Sequence, residues 1–179
     1  MKLILDRIGS PIGTLLVVTD DVAVRMLHFG DDAEYALRRL RGLYGTIEIV
    51  EQRECLGVRE RLDAYFAGEF SAFDDLPLAT NGTAFQKTVW SALREIAPGT
   101  TQSYGALAKH IGAPGAARAV GLANGANPIA LIVPCHRVIG ADRSLTGFGG
   151  GLPRKAWLLR HEGVRFVPEP APQTAFEFR

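Results

Sequence analysis

The spacing of apolar residues changes several times along this chain, and each change marks a different kind of element. Residues 3–8, 14–19 and 22–29 are short apolar runs rich in β-branched side chains, separated by Gly9-Ser10-Pro11 and Asp20-Asp21. Such runs between turn residues predict strands, here an antiparallel meander. The spacing then turns helical. Asp31-Asp32 precedes residues 33–43, where Tyr35, Leu37 or Leu40, and Tyr44 share a face and the arginines lie outside it. Residues 46–50 return to a strand pattern, and residues 58–66 read as a helix stopped near Gly68.

Periodicity fades over residues 70–82, which contain Pro77, Asn81 and Gly82. A domain boundary is expected there, dividing the chain into 1–82, 83–166 and a Pro-rich tail, 167–179, with Pro168, Pro170 and Pro172, expected to be loosely ordered. Thr83 is a good N-cap for a helix over 84–96, with Phe85, Val89, Leu93 and Ile96 on one face and Pro98-Gly99 beyond its end. A short helix around 104–110, the turn Gly112-Ala113-Pro114-Gly115 and a small-residue helix from Ala116 to about Asn124 suggest a helix-turn-helix. Close helix–helix packing would use the same small residues. Pro153 opens a last helix, 154–161, ended by Glu162-Gly163. The expected fold class is two-domain α/β, with an N-terminal antiparallel sheet and helices followed by a mostly helical C-terminal domain.

Composition is that of an ordinary globular protein, and 179 residues can bury a real core. No apolar run approaches the roughly 20 residues of a membrane helix. Asp6 and Arg7 come too early for a secretory signal, so a cytoplasmic protein is expected. Charge is uneven. Residues 1–82 hold 9 Lys/Arg and 14 Asp/Glu, net −5, while residues 83–179 hold 11 and 5, net +6. The C-terminal half is thus the better candidate for a polyanionic partner, although opposite charges also help two halves pack.

The chemistry concentrates in Ile132-Val133-Pro134-Cys135-His136-Arg137-Val138-Ile139-Gly140, where a thiol, an imidazole and a guanidinium interrupt apolar sequence. Burying that polarity costs several kcal/mol unless it is paired. With two cysteines, four histidines and no paired spacing, a zinc site is not predicted. Cys55 reads as a structural thiol. Cys135 could be an inert buried thiol or a nucleophile, since a neighbouring base or cation favours the thiolate. Leu145-Thr146-Gly147-Phe148-Gly149-Gly150-Gly151 is a glycine-rich loop without the Gly-Lys-Ser/Thr of a P-loop.

Pro134-Cys135-His136-Arg137-Val138 resembles the active-site motif of O6-alkylguanine-DNA alkyltransferases (methylated-DNA–protein-cysteine methyltransferases). The resemblance extends to Ser103-Tyr104-Gly105, Ala116-Ala117-Arg118-Ala119-Val120-Gly121, Asn127-Pro128, the glycine-rich loop and Trp157-Leu158-Leu159-Arg160-His161-Glu162-Gly163. It covers about residues 83–165. The N-terminal region is similar only in length and strand-helix pattern.

That resemblance implies a ribonuclease-H-like N-terminal domain and a winged-helix-like C-terminal one. It implies double-stranded DNA carrying O6-alkylguanine, and O4-alkylthymine, as substrate, with the damaged nucleotide flipped out of the helix. The small-residue helix would enter the minor groove through Ala117, Ala119 and Gly121, with Arg118 filling the gap. Tyr104 would press on the target phosphate and then hydrogen-bond the purine. Cys135 would accept the alkyl group, activated by Glu162 through His136 and a water. The Gly149 N–H would meet O6, the Cys135 and Val138 carbonyls would read the exocyclic amine, and Pro134 and Phe148 would line the pocket. Asn127 would brace the turn, and Arg137 would tie segments together. The reaction would run once per molecule with no cofactor and no metal. The resemblance implies no membrane and a monomer, with side-by-side binding on DNA left open. Two departures stand out: relatives often carry Tyr at Phe148 and Ser or Ala at Gly149. Three consecutive glycines predict a mobile loop tolerant of bulky adducts. Competing expectations are a protein that binds damage without repairing it, a transcriptional regulator, and a cysteine hydrolase.

Overall fold

A computed structural model describes residues 1–54 and 56–167. The expectations for Cys55 and for the tail from Pro168 onward lie outside the described residues. Among the described residues two compact units are present: Met1–Asn81 with Pro128–Ile132, and Gly82–Asn127 with residues 133–167.

The first unit is built on a sheet of strand order β3-β2-β1-β4. Strands β1 (Lys2–Ser10), β2 (Gly13–Thr19) and β3 (Val24–Phe29) form the expected antiparallel meander. The fourth, β4 (Glu48–Glu51), joins β1 in parallel, so the sheet is mixed rather than wholly antiparallel. The reason is the helix between β3 and β4, α1 (Ala33–Tyr44), which carries the chain across to the far edge. Asp32 caps α1 by accepting from Tyr35 N at 2.9 Å. The buried stripe of α1 is Ala36 and Leu40, packed on Leu3, Leu5, Leu16, Val18 and Met26. Tyr35, expected on that stripe, is exposed and its ring meets His28 at a tilt, with centroids 4.8 Å apart. Residues 15–18 of β2 are all buried, so both faces of the sheet are covered. Leu27 donates to Pro128 O at 3.0 Å and accepts from Ala130 N at 3.2 Å, which closes the outer edge of β3.

Helix α2 (Val58–Phe66) starts at Gly57, which has no side chain to cap it. Glu54 does so from a distance, accepting from Leu56 N at 2.6 Å and Arg59 N at 3.1 Å. Arg59 in turn holds the buried Asp6 carboxylate at 2.9 Å.

The second unit opens with α3 (Ala84–Arg94), begun by a Thr83–Gln86 capping box. It buries Val89, Trp90, Ala92 and Leu93. Phe85 is only half-buried, and Trp90, not foreseen, anchors the unit by donating from Nε1 to Ala123 O at 2.9 Å. Gly82 leaves room for that indole, since a Cβ there would fall 2.5 Å from the ring. A short strand, β5 (Gln102–Ser103), leads into α4 (Tyr104–His110), and α5 (Ala117–Gly125) packs against α3 and α4. Strand β6 (Val138–Ile139) pairs in parallel with β5, and α6 (Leu152–His161) closes over Ile139 with Ala156 and Leu159. The β5–β6 pair brings the start of α4 beside the segment that follows Cys135.

Candidate active site

Cys135 does not lie on a strand. It opens a 3-10 turn, Cys135–Arg137, immediately before β6. Pro134 has no N–H for a ladder, and the turn is sealed by Cys135 N to Val133 O at 2.8 Å and Arg137 N to Pro134 O at 3.0 Å. Two asparagines at the end of α5 hold its carbonyls. Asn127 Nδ2 donates to Val133 O at 2.8 Å, and Asn124 Nδ2 donates to Cys135 O at 3.4 Å. Asn124 was not singled out in the sequence. Cys135 is 5% exposed, and Pro134 and Val138 on either side of the turn are buried.

The turn places His136 and Arg137 on one carboxylate. Glu162, just past α6, lies 2.9 Å from His136 Nε2 through Oε1. Arg137 donates to both of its oxygens at 2.9 Å, and to Ile96 O at 2.6 Å. The His136 and Glu162 side chains are fully buried, and that of Arg137 is 8% exposed. Burial pushes the Glu162 carboxyl upward, but the bonds from His136 and Arg137 outweigh it and hold it well below the usual carboxylate range. Burial lowers the His136 pKa by more than its bond to Glu162 raises it, so the ring is neutral. With Nε2–H donating to Glu162, Nδ1 is left as the acceptor, and it has no hydrogen-bond partner among the described residues.

Around this centre the other expected residues fall into two groups. Tyr104 is the first residue of α4, its hydroxyl 3.4 Å from Thr146 Oγ1 of the glycine-rich loop. Gly121 lies under the Tyr104 ring, where a Cβ would come to 3.7 Å. Gly121 therefore seats Tyr104, while Arg118 and Ala119 are exposed on α5 and Ala117 is half-buried. Phe148 is half-buried and Gly149 is exposed, with open space where a side chain would start.

The loop expected to be mobile is anchored at several points. Lys155 donates to Val138 O at 2.6 Å and Thr146 O at 2.7 Å, with Gly147 O at 3.5 Å. Arg154 donates to Gly150 O at 3.0 Å, and Gly151 N to Phe148 O at 2.9 Å. Sequence reasoning passed over Lys155, although it sits three and four residues before Leu158 and Leu159 on the apolar stripe of α6.

Comparison with known proteins agrees with this geometry. Residues 84–164 match the family model described as 6-O-methylguanine DNA methyltransferase, DNA binding domain. Residues 6–80 match the ribonuclease-like domain of the same family. A methylated-DNA–protein-cysteine methyltransferase of Shigella flexneri is 45% identical, covering 91% of this chain and 97% of that protein. One from Mycolicibacterium paratuberculosis is 48% identical over 95% of this chain and 96% of its own. Among solved structures, Mycobacterium tuberculosis OGT in complex with DNA aligns with a TM-score of 0.76 and 45% identity, covering 89% of this chain and 92% of that one. An O6-methylguanine-DNA methyltransferase from the archaeon Pyrococcus kodakaraensis gives a TM-score of 0.73 at 25% identity, over 90% and 99% of the two chains. The buried Cys135–His136–Arg137 turn and its Glu162 thus sit in a protein whose two domains are both accounted for, and the chain belongs to the methylated-DNA–protein-cysteine methyltransferase family.

Proposed function

We propose that this protein repairs DNA by direct reversal, moving the alkyl group of O6-alkylguanine, and of O4-alkylthymine, in duplex DNA onto Cys135. The observation that carries this reading is a buried His136 that meets Glu162 through Nε2 and has no hydrogen-bond partner for Nδ1 among the described residues, one residue from a buried cysteine. A water between Nδ1 and the thiol would satisfy that nitrogen and carry the thiol proton to it. The thiolate then attacks the alkyl carbon. The S–C bond forms as the C–O6 bond breaks, and the bonding pair leaves with the base. Tyr104, the first residue of α4, hydrogen-bonds the purine as charge develops, and the Gly149 N–H meets O6. The guanine anion recovers a proton, so thiol and alkyl ether become thioether and guanine. A thioether has no hydrolysable bond, so each molecule reacts once.

The target must be flipped out to reach a thiol this buried. Arg118 would enter the vacated stack, which its exposure with Ala119 on α5 supports, while Ala117 and Gly121 would keep the helix slim. Val138, Phe148 and Pro134 shape the pocket, Asn127 holds the turn, and the carbonyls of Cys135 and Val138 read the exocyclic amine. The Val138 carbonyl already accepts from Lys155, and its second lone pair serves the base. We place the protein in the cytoplasm, acting as a monomer on DNA. A relative solved in complex with DNA supports DNA as the partner.

Intact-mass measurement after incubation with an O6-methylguanine duplex tests the reading. The protein gains one methylene, and Cys135→Ala gains nothing yet still binds the duplex, because phosphate contacts lie elsewhere. Binding without mass gain in the unaltered protein would instead mean recognition without repair. Continuous turnover of esters or peptides would mean a hydrolase.

A further inference from the structure

Two buried acceptors beside the cysteine turn have no hydrogen-bond partner among the described residues: His136 Nδ1 and Asn124 Oδ1. Both residues sit against Cys135. His136 follows it in the 3-10 turn, and Asn124, on α5 and 4% exposed, donates through Nδ2 to the Cys135 carbonyl at 3.4 Å. A carbonyl only accepts, so that bond fixes which end of the amide is which and leaves Oδ1 as the open acceptor. The imidazole follows the same logic. Glu162 takes the Nε2 hydrogen, which makes Nδ1 an acceptor. Asn127, further along, commits its own Nδ2 to Val133 O at 2.8 Å, so Asn124 is the amide that reaches the cysteine itself. Buried acceptors are costly to leave unpaired. These two cannot satisfy each other, because neither has a hydrogen to give. One water has a hydrogen for each of them and a lone pair for the thiol hydrogen, which makes the three bonds typical of a buried water.

We propose that Asn124 is a positioning residue of the alkyl transfer, its Oδ1 holding the water that carries the Cys135 proton to His136. This rests on the alkyl-transfer reading above and adds a fixed third partner to the relay. With one hydrogen on Asn124 Oδ1 and the other on His136 Nδ1, the water turns its oxygen to the thiol. The S–H bond breaks and its electron pair stays on sulfur. The proton moves to the water oxygen, and the water passes its Nδ1-facing hydrogen to the ring. The water then presents the former thiol hydrogen to the thiolate, while its bond to Asn124 is unchanged. The amide thus keeps the water from turning away before and after the proton moves. The helix that carries Arg118 thereby also serves the nucleophile.

The charged and titratable groups facing the thiol are His136 and Arg137 on its own turn, Lys155 on α6 and Glu162 just past it. Helix α3 also packs on the turn, and Ile96 beyond its end accepts from Arg137. The test uses the full chain. Asn124→Leu keeps the branched shape and removes the amide's hydrogen bonds. Intact mass with saturating free O6-benzylguanine should show a rate at pH 7.5 lower by about tenfold or more, the size of one pKa unit, with the half-saturating concentration within twofold of the parent. Alkylation of Cys135 by iodoacetamide, read by peptide mapping, should fall by a similar factor, since it needs the thiolate but no purine. At pH 9.5 hydroxide removes the thiol proton without a relay, so the loss should shrink to about threefold or less. A rate within twofold of the parent at pH 7.5, or a tenfold loss that persists at pH 9.5, overturns the proposal. So does a loss with O6-benzylguanine alone, which would make Asn124 a reader of the base. If Asn124→Leu does not fold, a crystal structure of the unaltered protein decides. A water within hydrogen-bond reach of Asn124 Oδ1, His136 Nδ1 and Cys135 Sγ supports the proposal, and the lack of a water shared by Asn124 and His136 overturns it. Failure of the unaltered protein to gain the benzyl group would instead sink the alkyl-transfer reading.

Discussion

Neutralising Glu162 while keeping its shape separates its structural role from its chemical one. In Glu162→Gln, the Arg137 guanidinium loses its counter-charge in a site where its side chain is 8% exposed. Removing one partner of a buried ion pair costs about 3–5 kcal/mol, because the other charge stays buried and unmatched. At roughly 2–4 °C per kcal/mol for a chain of this size, the thermal midpoint should fall by about 6–20 °C. Arg137→Met together with Glu162→Gln removes both charges, and much of the lost stability should return. Alkyl transfer should not return, since the amide cannot stabilise a protonated His136. Circular-dichroism melts and intact-mass kinetics on the parent, the two single variants Glu162→Gln and Arg137→Met, and the double variant decide it. A fall of under 2 °C in Glu162→Gln, or a double variant as unstable as the sum of the singles, would refute the buried-pair argument. A double variant that transfers alkyl groups at the parent rate would refute Glu162's part in activation.

Three further outcomes follow from the same geometry. Arg118→Ala should slow reaction with an O6-methylguanine duplex by tenfold or more, about the energy of one good contact, yet leave the rate with free O6-benzylguanine within twofold; equal losses on both substrates would contradict a flipping role. Gly149→Ser has open space for its side chain, so it should fold normally and lower the ratio of benzyl to methyl transfer; an unchanged ratio would remove Gly149 as a determinant of adduct size. The stability gap between the parent and Glu162→Gln should stay constant above about pH 5 and narrow below about pH 4, where the unfolded carboxyl begins to take up protons. The sign follows from a carboxyl pKa that is depressed in the fold: its stabilisation is complete above the unfolded value and is lost as pH falls toward the folded one. A gap still constant at pH 3 would mean that Glu162 is not the group responsible.

Much of the site was legible because its chemistry is contiguous. Cys135, His136 and Arg137 stand together, whereas the downstream Glu162 reads from the sequence only as a helix end, and its part in the site came from the family resemblance. The strands of the first unit were legible for a similar reason, since each is a local run of apolar residues bounded by turns. What depends on distant packing was not. Residues 46–50 read as a strand, but only the crossover through α1 makes β4 parallel to β1. The face expected to join Tyr35 to Tyr44 fails on its own spacing, since nine residues is about two and a half turns; Ala36, Leu40 and Tyr44 pack on the sheet and Tyr35 is left on the surface. Asn124 and Lys155 are polar residues on helices that look amphipathic in isolation. Their burial arises only when the cysteine turn and the glycine-rich loop fold over them.

The arrangement around Glu162 also resolves a conflict that the sequence alone poses. A buried carboxylate facing only a histidine would draw a proton onto the ring, since neither charge could find another partner in a dry site. The imidazole would then be charged and unable to accept a thiol proton. Arg137 removes that pressure by donating twice to the same carboxylate, so Glu162 stays ionised without needing His136 to be a cation. The imidazole is left neutral by burial, oriented through Nε2, and basic at Nδ1. Arg137 thus has a reason to follow His136 directly: the 3-10 turn delivers both side chains to one carboxylate and leaves the thiol one residue away. When the ring does take up a proton, the Glu162 carboxylate is already in place to stabilise it. The cost of the new charge is lowest on the one histidine that holds such a partner beside Cys135.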